Sequence, residues 1–270
     1  PPPARRAPMP FFAMDTAIRG TPEQVAATLS ELGYAGLGGS GYQIAPMRRA
    51  LEAKGLKLFN VYLTIGLDQA QSALTPEMRQ LMEELKGHDS ALWLSISQVT
   101  REGVKSAVSS PDGDAVAVEK LKELEDFAAA GGVQLALYPH GGAWIERCSD
   151  AVRVAEKTGH PAVGATFNLC HFLKVEGDSD PMPVIQAALP RLFFVTINGA
   201  DSGDTRQFGW DRLIQTLDKG SYDTAGFLRK LRAAGYSGPV GFQGFAIPGG
   251  PTENLVRTMD AWKKFRPKKE

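Results

Sequence analysis

The sequence predicts an α/β protein of the (β/α)8 TIM-barrel class, and three observations carry that reading. The chain has 270 residues, close to the roughly 250 typical of such a barrel. Eight apolar, β-prone runs alternate with eight helix-like runs, as repeated βα units around a parallel sheet require. The helical runs close on Gly33, Gly55, Gly87, Gly131, Gly159 and Gly235, where the chain needs a left-handed residue before the next strand.

Residues 1–10 are rich in proline and read as a flexible, solvated lead-in, with one barrel domain over residues 11–270. The start at Pro1 fits either a removed secretory leader, which implies a periplasmic or secreted protein, or an experimentally chosen boundary, which leaves it cytoplasmic. The first strand is expected over 11–16. A helix over 21–33 follows, opened by Thr21 and Pro22 because proline lacks only an N–H that a first turn leaves unbonded anyway. Val25, Leu29 and Leu32 share its apolar face. The remaining strands are expected over 36–39, 56–65, 92–97, 133–139, 164–168, 192–198 and 240–245. The remaining helices are expected over 44–54, 75–85, 116–130, 150–158, 183–188, 224–234 and 253–264. Residues 106–111 and 200–208 read as surface loops.

Composition excludes several classes. Hydrophobic residues make up 43% and charged residues 22%, values of an ordinary globular protein. Thirty Lys and Arg balance thirty Asp and Glu, so the basic surplus that binding a phosphate backbone demands is absent and no nucleic-acid partner is expected. No apolar run reaches membrane-spanning length, so no membrane partner is expected either. Cys148 and Cys170 are too few for a disulfide scaffold and lack the spacing of a structural zinc site. Nothing in the sequence specifies an oligomeric state.

Barrel sites are built at the carboxyl ends of the strands, so polar residues there carry the functional signal. Five groups qualify: Asp15; Tyr138 with His140; Asn168 with His171; Asn198 with Asp201; and Gln243. His88 and His160 lie in turns at the opposite end and read as surface residues.

These segments, Ala-Leu-Tyr-Pro-His at 136–140, Phe-Asn-Leu-Cys-His at 167–171, Thr-Ile-Asn-Gly-Ala-Asp at 196–201 and Gly-Pro-Val-Gly-Phe-Gln at 238–243, carry a resemblance. Over nearly its whole length the chain resembles the xylose isomerase-like TIM-barrel superfamily. That superfamily includes sugar isomerases, ketose 3-epimerases, hydroxypyruvate isomerase and endonuclease IV, and the nearest branch is a bacterial one described as sugar phosphate isomerase/epimerase-like. The resemblance implies a divalent metal held by Glu, Asp, His or Gln, and Glu after strands five to eight. Those positions fall on Tyr138, Asn168, Thr196 and Gln243, none a carboxylate. A hard cation prefers charged oxygens, so tight metal binding is not expected and the cofactor stays unassigned.

The resemblance also places His171 where epimerases keep a histidine. It is the first candidate for proton transfer, since imidazole with a pKa of about 6.5 serves in both protonation states near neutrality. His140 is the second, with Gly141 and Gly142 leaving room beside it, and Asp201 is a candidate replacement for the missing carboxylate base. Lys219 is the nearest cation. Tyr138, Asn168, Asn198 and Gln243 are expected to hold substrate hydroxyls, and Trp144 and Trp210 to stack on a sugar ring. Structural roles stand beside these: histidines tied to backbone carbonyls, asparagines satisfying strand ends, and Trp144 packed over the barrel mouth. Trp93 and Trp262 read as core packing.

The leading functional expectation is an isomerase or epimerase that abstracts a proton next to a sugar carbonyl, with a small sugar or keto-sugar as partner. A lyase or hydratase on keto-sugars or keto-glycosides is the close alternative. A non-catalytic carbohydrate-binding barrel is the distant one. An abasic-site nuclease is disfavoured because it needs a zinc cluster that four histidines so placed do not supply.

Overall fold

The computed structural model describes residues 9–265. Residues 1–8 of the expected lead-in lie outside them. Met9 is buried, and the Pro10 carbonyl accepts a hydrogen bond from the Val240 N–H at 2.8 Å.

Eight parallel strands form the wall: β1 (Phe11–Met14), β2 (Gly36–Ser40), β3 (Lys57–Asp68), β4 (Ala91–Arg101), β5 (Gln134–Leu137), β6 (Val163–Asn168), β7 (Leu192–Ile197) and β8 (Val240–Phe242). Each pairs with its neighbours in sequence, and β8 returns to β1 in the register Phe11 with Val240, so the barrel closes. The helices are α1 (Pro22–Leu32), α2 (Ala45–Glu52), α3 (Pro76–Leu85), α4 (Asp114–Ala130), α5 (Cys148–Thr158), α6 (Leu169–Glu176), α7 (Met182–Ala188), α8 (Trp210–Leu213), α9 (Thr224–Ala233) and α10 (Pro251–Phe265). None among the described residues is long and apolar enough to cross a membrane.

The period of two along each strand divides the core. Phe12, Met14, Phe59, Trp93, Tyr138 and Phe194 cluster together, with Phe12 stacked on Phe59 at 4.6 Å and edge-on to Phe194. Residues of the opposite parity, such as Phe11, Leu37, Leu92 and Val195, join the larger cluster shared with the helices. Phe11 lies between Tyr34 and Trp262, its ring 4.1 Å from the indole, which docks α10 on β1. α1 begins with a full capping box, Thr21 accepting from the Gln24 N–H and Gln24 reaching back to the Thr21 N–H. Losing such a cap costs about 1 kcal/mol.

Four departures from the sequence reading have physical causes. The turn after α4 takes its left-handed residue at Gly132 (φ +71°), because Gly131 still has a right-handed conformation and the chain reverses one residue later. β3 and β4 run past the barrel rim, paired as far as Asp68 with Thr100, and a short arm at Val104–Lys105 folds back on β4. β8 ends at Phe242, so Gln243 sits just beyond the strand, its N–H donating to the Ile197 carbonyl. Finally, the segment after β6 is helical, since the Asn168 side chain caps it by accepting from the His171 N–H.

Candidate active site

A cavity of about 350 Å³ opens at the carboxyl ends of the strands. Its floor is aromatic. Trp93 and Tyr138 stack at 3.8 Å and 23°, with Tyr62 edge-on to both. A hydrogen-bond relay fixes the indole: Trp93 Nε1 donates to Thr166 Oγ1 at 2.9 Å, and that hydroxyl donates to the Leu137 carbonyl at 3.0 Å. The Tyr138 hydroxyl accepts from Asn168 Nδ2 at 3.2 Å, and burial pushes the phenol well above its ordinary pKa, so it stays protonated. Gln243 Oε1 accepts from the Thr16 hydroxyl at 2.8 Å, and the Gln243 amide also hydrogen-bonds the Tyr138 hydroxyl, with one N–H left as a donor.

His140 and His171 meet on this floor, ring centres 4.1 Å apart, each edge-on to Tyr138. Gly141 touches both rings through its backbone. Its N–H donates to His171 Nδ1 at 3.2 Å, while its carbonyl lies 3.1 Å from His140 Nδ1. A carbonyl only accepts and an N–H only donates, so these bonds assign opposite tautomers. His140 carries its proton on Nδ1 and leaves Nε2 as a lone pair. His171 keeps Nδ1 bare and carries its proton on Nε2. Burial lowers the pKa of both rings, that of His171 strongly, and for His171 the neighbouring His140 adds to the effect. Both are therefore neutral at pH 7.

The turn that presents His140 is set by sequence. Ala143 N–H bonds back to the His140 carbonyl, and Gly142 between them adopts φ +82°, a conformation that favours glycine. His171 stands in the first turn of α6, which follows β6 without a loop, and Trp210 closes over it edge-on at 5.2 Å.

Tyr138, His140, His171, Trp210 and Gln243 thus line one cavity. Asn168 lies one layer below, behind Tyr138 and His171. Three other candidates are placed elsewhere. Asn198 is fully buried, its amide donating to the carbonyls of Gly199 and Leu213, and it organises the loop after β7. Trp144 is buried against Gly113 at the start of α4, so it packs the loop rather than facing a ligand. Asp201 pairs with Arg212 at 2.7 Å away from the cavity, and that guanidinium holds its carboxyl below the ordinary value. A carboxylate so paired is a poor base, and Lys219 is likewise exposed and does not line the cavity.

Sequence reasoning missed Tyr62 and Trp93, and it named Asp15 without a role. An inward-facing aromatic in a strand reads as core unless its height in the barrel is known, and Trp93 is both buried and part of the floor. Asp15 is the single carboxyl among the lining residues, and burial raises its pKa even though Ser40 donates to it.

A model of the xylose isomerase-like TIM barrel matches residues 26–265, so the chain belongs to that family. It is similar in fold to the D-allulose 3-epimerase of Methylomonas sp. (TM-score 0.74, 14% identity, covering 96% of this chain and 98% of that one). It is equally similar to the 3-keto-D-glucoside 4-epimerase of E. coli (0.72, 17%, 95% and 99%) and to an IolI protein with a bound zinc atom (0.73, 14%, 95% and 98%). A shorter match joins 130 residues, 47% of this chain, to the 3-dehydroshikimate dehydratase of Pseudomonas putida at 25% identity, and it spans only 20% of that protein.

The zinc of one relative calls for a test of donors. Tyr138, Asn168, Thr196 and Gln243 offer a protonated phenol, two amides and a hydroxyl, and three of these already hydrogen-bond within the protein. No group of three or more His, Cys, Asp or Glu side chains among the described residues is placed to hold a metal ion. With no carboxylate, thiolate or imidazole at these four positions, the donor set fits neither a hard divalent cation nor zinc.

Proposed function

We propose that this protein is an enzyme that removes the proton from the carbon beside the carbonyl of a keto-sugar. The observation that carries the reading is a pair of adjacent histidines whose Nδ1 atoms face the N–H and the carbonyl of one residue, Gly141, an arrangement that calls for opposite tautomers. His140 Nε2 takes the proton. The C–H electrons become the C=C bond of an enediolate, and His171 Nε2–H donates a hydrogen bond to the carbonyl oxygen as charge gathers there. A neutral imidazole suits that second role, because its proton is matched to an enolic oxygen rather than lost to water.

Three further features support the reading. The aromatic floor of Trp93 and Tyr138 offers a flat face for the C–H side of a sugar ring, and Gln243 and the Tyr138 hydroxyl supply donors for its hydroxyls. Asp15 stands just after β1, across the eight-stranded barrel from His140 on the β5 side, and burial raises its pKa. A proton returned from the Asp15 side inverts the carbon. The relatives named for epimerisation of D-allulose at C3 and of a 3-keto-glucoside at C4 act beside a ketone, which is the same first step. The dehydratase match keeps a second outcome open, in which the enediolate expels a neighbouring oxygen instead of being reprotonated.

The experiment is solvent exchange. Methyl 3-keto-D-glucoside incubated with the protein in D2O should gain deuterium beside the ketone, read by proton NMR. His140→Asn should slow that exchange by about 10²–10⁴-fold while melting at the same temperature. A wild-type protein that binds the keto-sugar yet exchanges nothing is a binding barrel, and the reading fails.

A further inference from the structure

A second cavity, of about 320 Å³, lies beside the first at the same end of the barrel. Asp15 and Thr16 line both, so the two cavities adjoin along one short stretch of chain after β1. The second cavity is bounded by the β1–α1 loop, the end of β2 and the first turn of α2. Its chemistry is mixed. Leu37, Val25 and Met47 give it an apolar side, while Arg19, Ser40 and Asp15 give it a hydrogen-bonding one.

We propose that the substrate has two rings, a keto-sugar joined through a glycosidic bond to a second sugar, and that the second ring occupies this cavity. The inference rests on the function proposed above and extends it from a single sugar to a glycoside. Volume is the first argument. The two cavities are nearly equal, so the second has room for a ring, not merely for a substituent. Charge is the second. Arg19 Nη1 is already engaged by the carbonyls of Asp15 and Ile18, and the Asp15 side chain is close enough to interact with the guanidinium electrostatically. An anionic group there would face a carboxyl, whereas a neutral ring finds both donors and acceptors for its hydroxyls. Chemistry is the third, since an apolar wall opposite a polar one matches a sugar ring, whose C–H face and hydroxyl edge need different surroundings. Because the cavities adjoin at Asp15 and Thr16, the link between the rings falls next to these two residues.

Calorimetry with the full chain carrying His140→Asn, which slows turnover, compares methyl 3-keto-D-glucoside with the 3-keto derivatives of maltose and cellobiose oxidised on the non-reducing ring. At least one two-ring ligand should bind about tenfold tighter than the one-ring ligand. Met47→Trp, which fills the cavity, should bring the ratio of the two affinities to near one, and Arg19→Ala, at an exposed position, should lower it as well. Equal affinities in the parent protein, or a ratio unmoved by both substitutions, overturn the second ring while leaving the first cavity's reading in place. If no ligand of either kind binds, the function itself is wrong and this inference goes with it.

Discussion

β6 and the segment just after β7 both carry an asparagine at the mouth of the barrel, and the two side chains have opposite fates. After Asn168 the chain enters α6 at once, so the Asn168 amide caps the helix, props the Tyr138 hydroxyl and fixes the backbone of His171 beneath the cavity. After Asn198 it runs through a loop to α8, and the amide turns inward to hold the carbonyls of Gly199 and Leu213. Asp201 takes the same course and ends on Arg212. A polar residue at a strand end serves a barrel's chemistry only when the next element of the chain keeps the side chain over the axis.

Three substitutions separate the two ends. Asn168→Ala should cut the rate of solvent exchange by about a hundredfold, because His171 loses its fixed backbone and small displacements of a reacting group are that costly. It should also lower stability by roughly 1 kcal/mol through the lost cap. Asn198→Ala should lower stability by about 1–3 kcal/mol, since two carbonyls lose their donor, and leave exchange per folded molecule nearly unchanged. Asp201→Asn should change stability by about 0–1 kcal/mol, the value of a surface pair, and exchange not at all. Exchange rates and thermal melts on the three variants read these out. An Asn198→Ala protein that melts normally but exchanges slowly would reverse the assignment.

Acid should act on the two ends at different pH. His171 has a folded pKa below the unfolded imidazole value of about 6.5, so its neutral burial stabilises the fold fully above that value. The stabilisation is lost as pH falls from about 6.5 toward the folded pKa. Asp201 is lowered too, and its contribution fades only at the far more acid pH where a carboxylate takes up a proton. Melting temperature tracked from pH 8 to pH 4 should therefore decline early in the wild type and less in His171→Asn. Exchange should hold below pH 6.5 and then fall, because His140 must stay unprotonated to act and its pKa is also lowered.

The barrel was legible because most βα units carry their own punctuation, such as Thr21 and Pro22 opening α1. The length of β3 and β4 was not, since nothing at Gly66 to Asp68 distinguishes a rim extension from a loop. At the cavity, His140, His171, Tyr138 and Gln243 lie at or just past strand ends, where the sequence reading looked, and Trp210 opens α8 beyond the loop after β7. Trp93 could not, because facing a neighbour and facing a ligand look the same in an alternating strand. The orientation of the Gly141 backbone was also beyond the sequence. The family resemblance put His171 first, whereas the function proposed here gives the base role to His140, because the Gly141 carbonyl faces His140 Nδ1 and a backbone orientation has no residue letter.

Gly141 and its two histidines offer the sharpest test. Long-range proton–nitrogen correlation spectra of imidazole-¹⁵N-labelled protein, with His140→Asn and His171→Asn used to assign signals, report which nitrogen of each ring is protonated. At pH 7 two neutral rings are expected, His140 protonated on Nδ1 and His171 on Nε2. The same tautomer on both, or a charged His171, would contradict the assignment of base and donor.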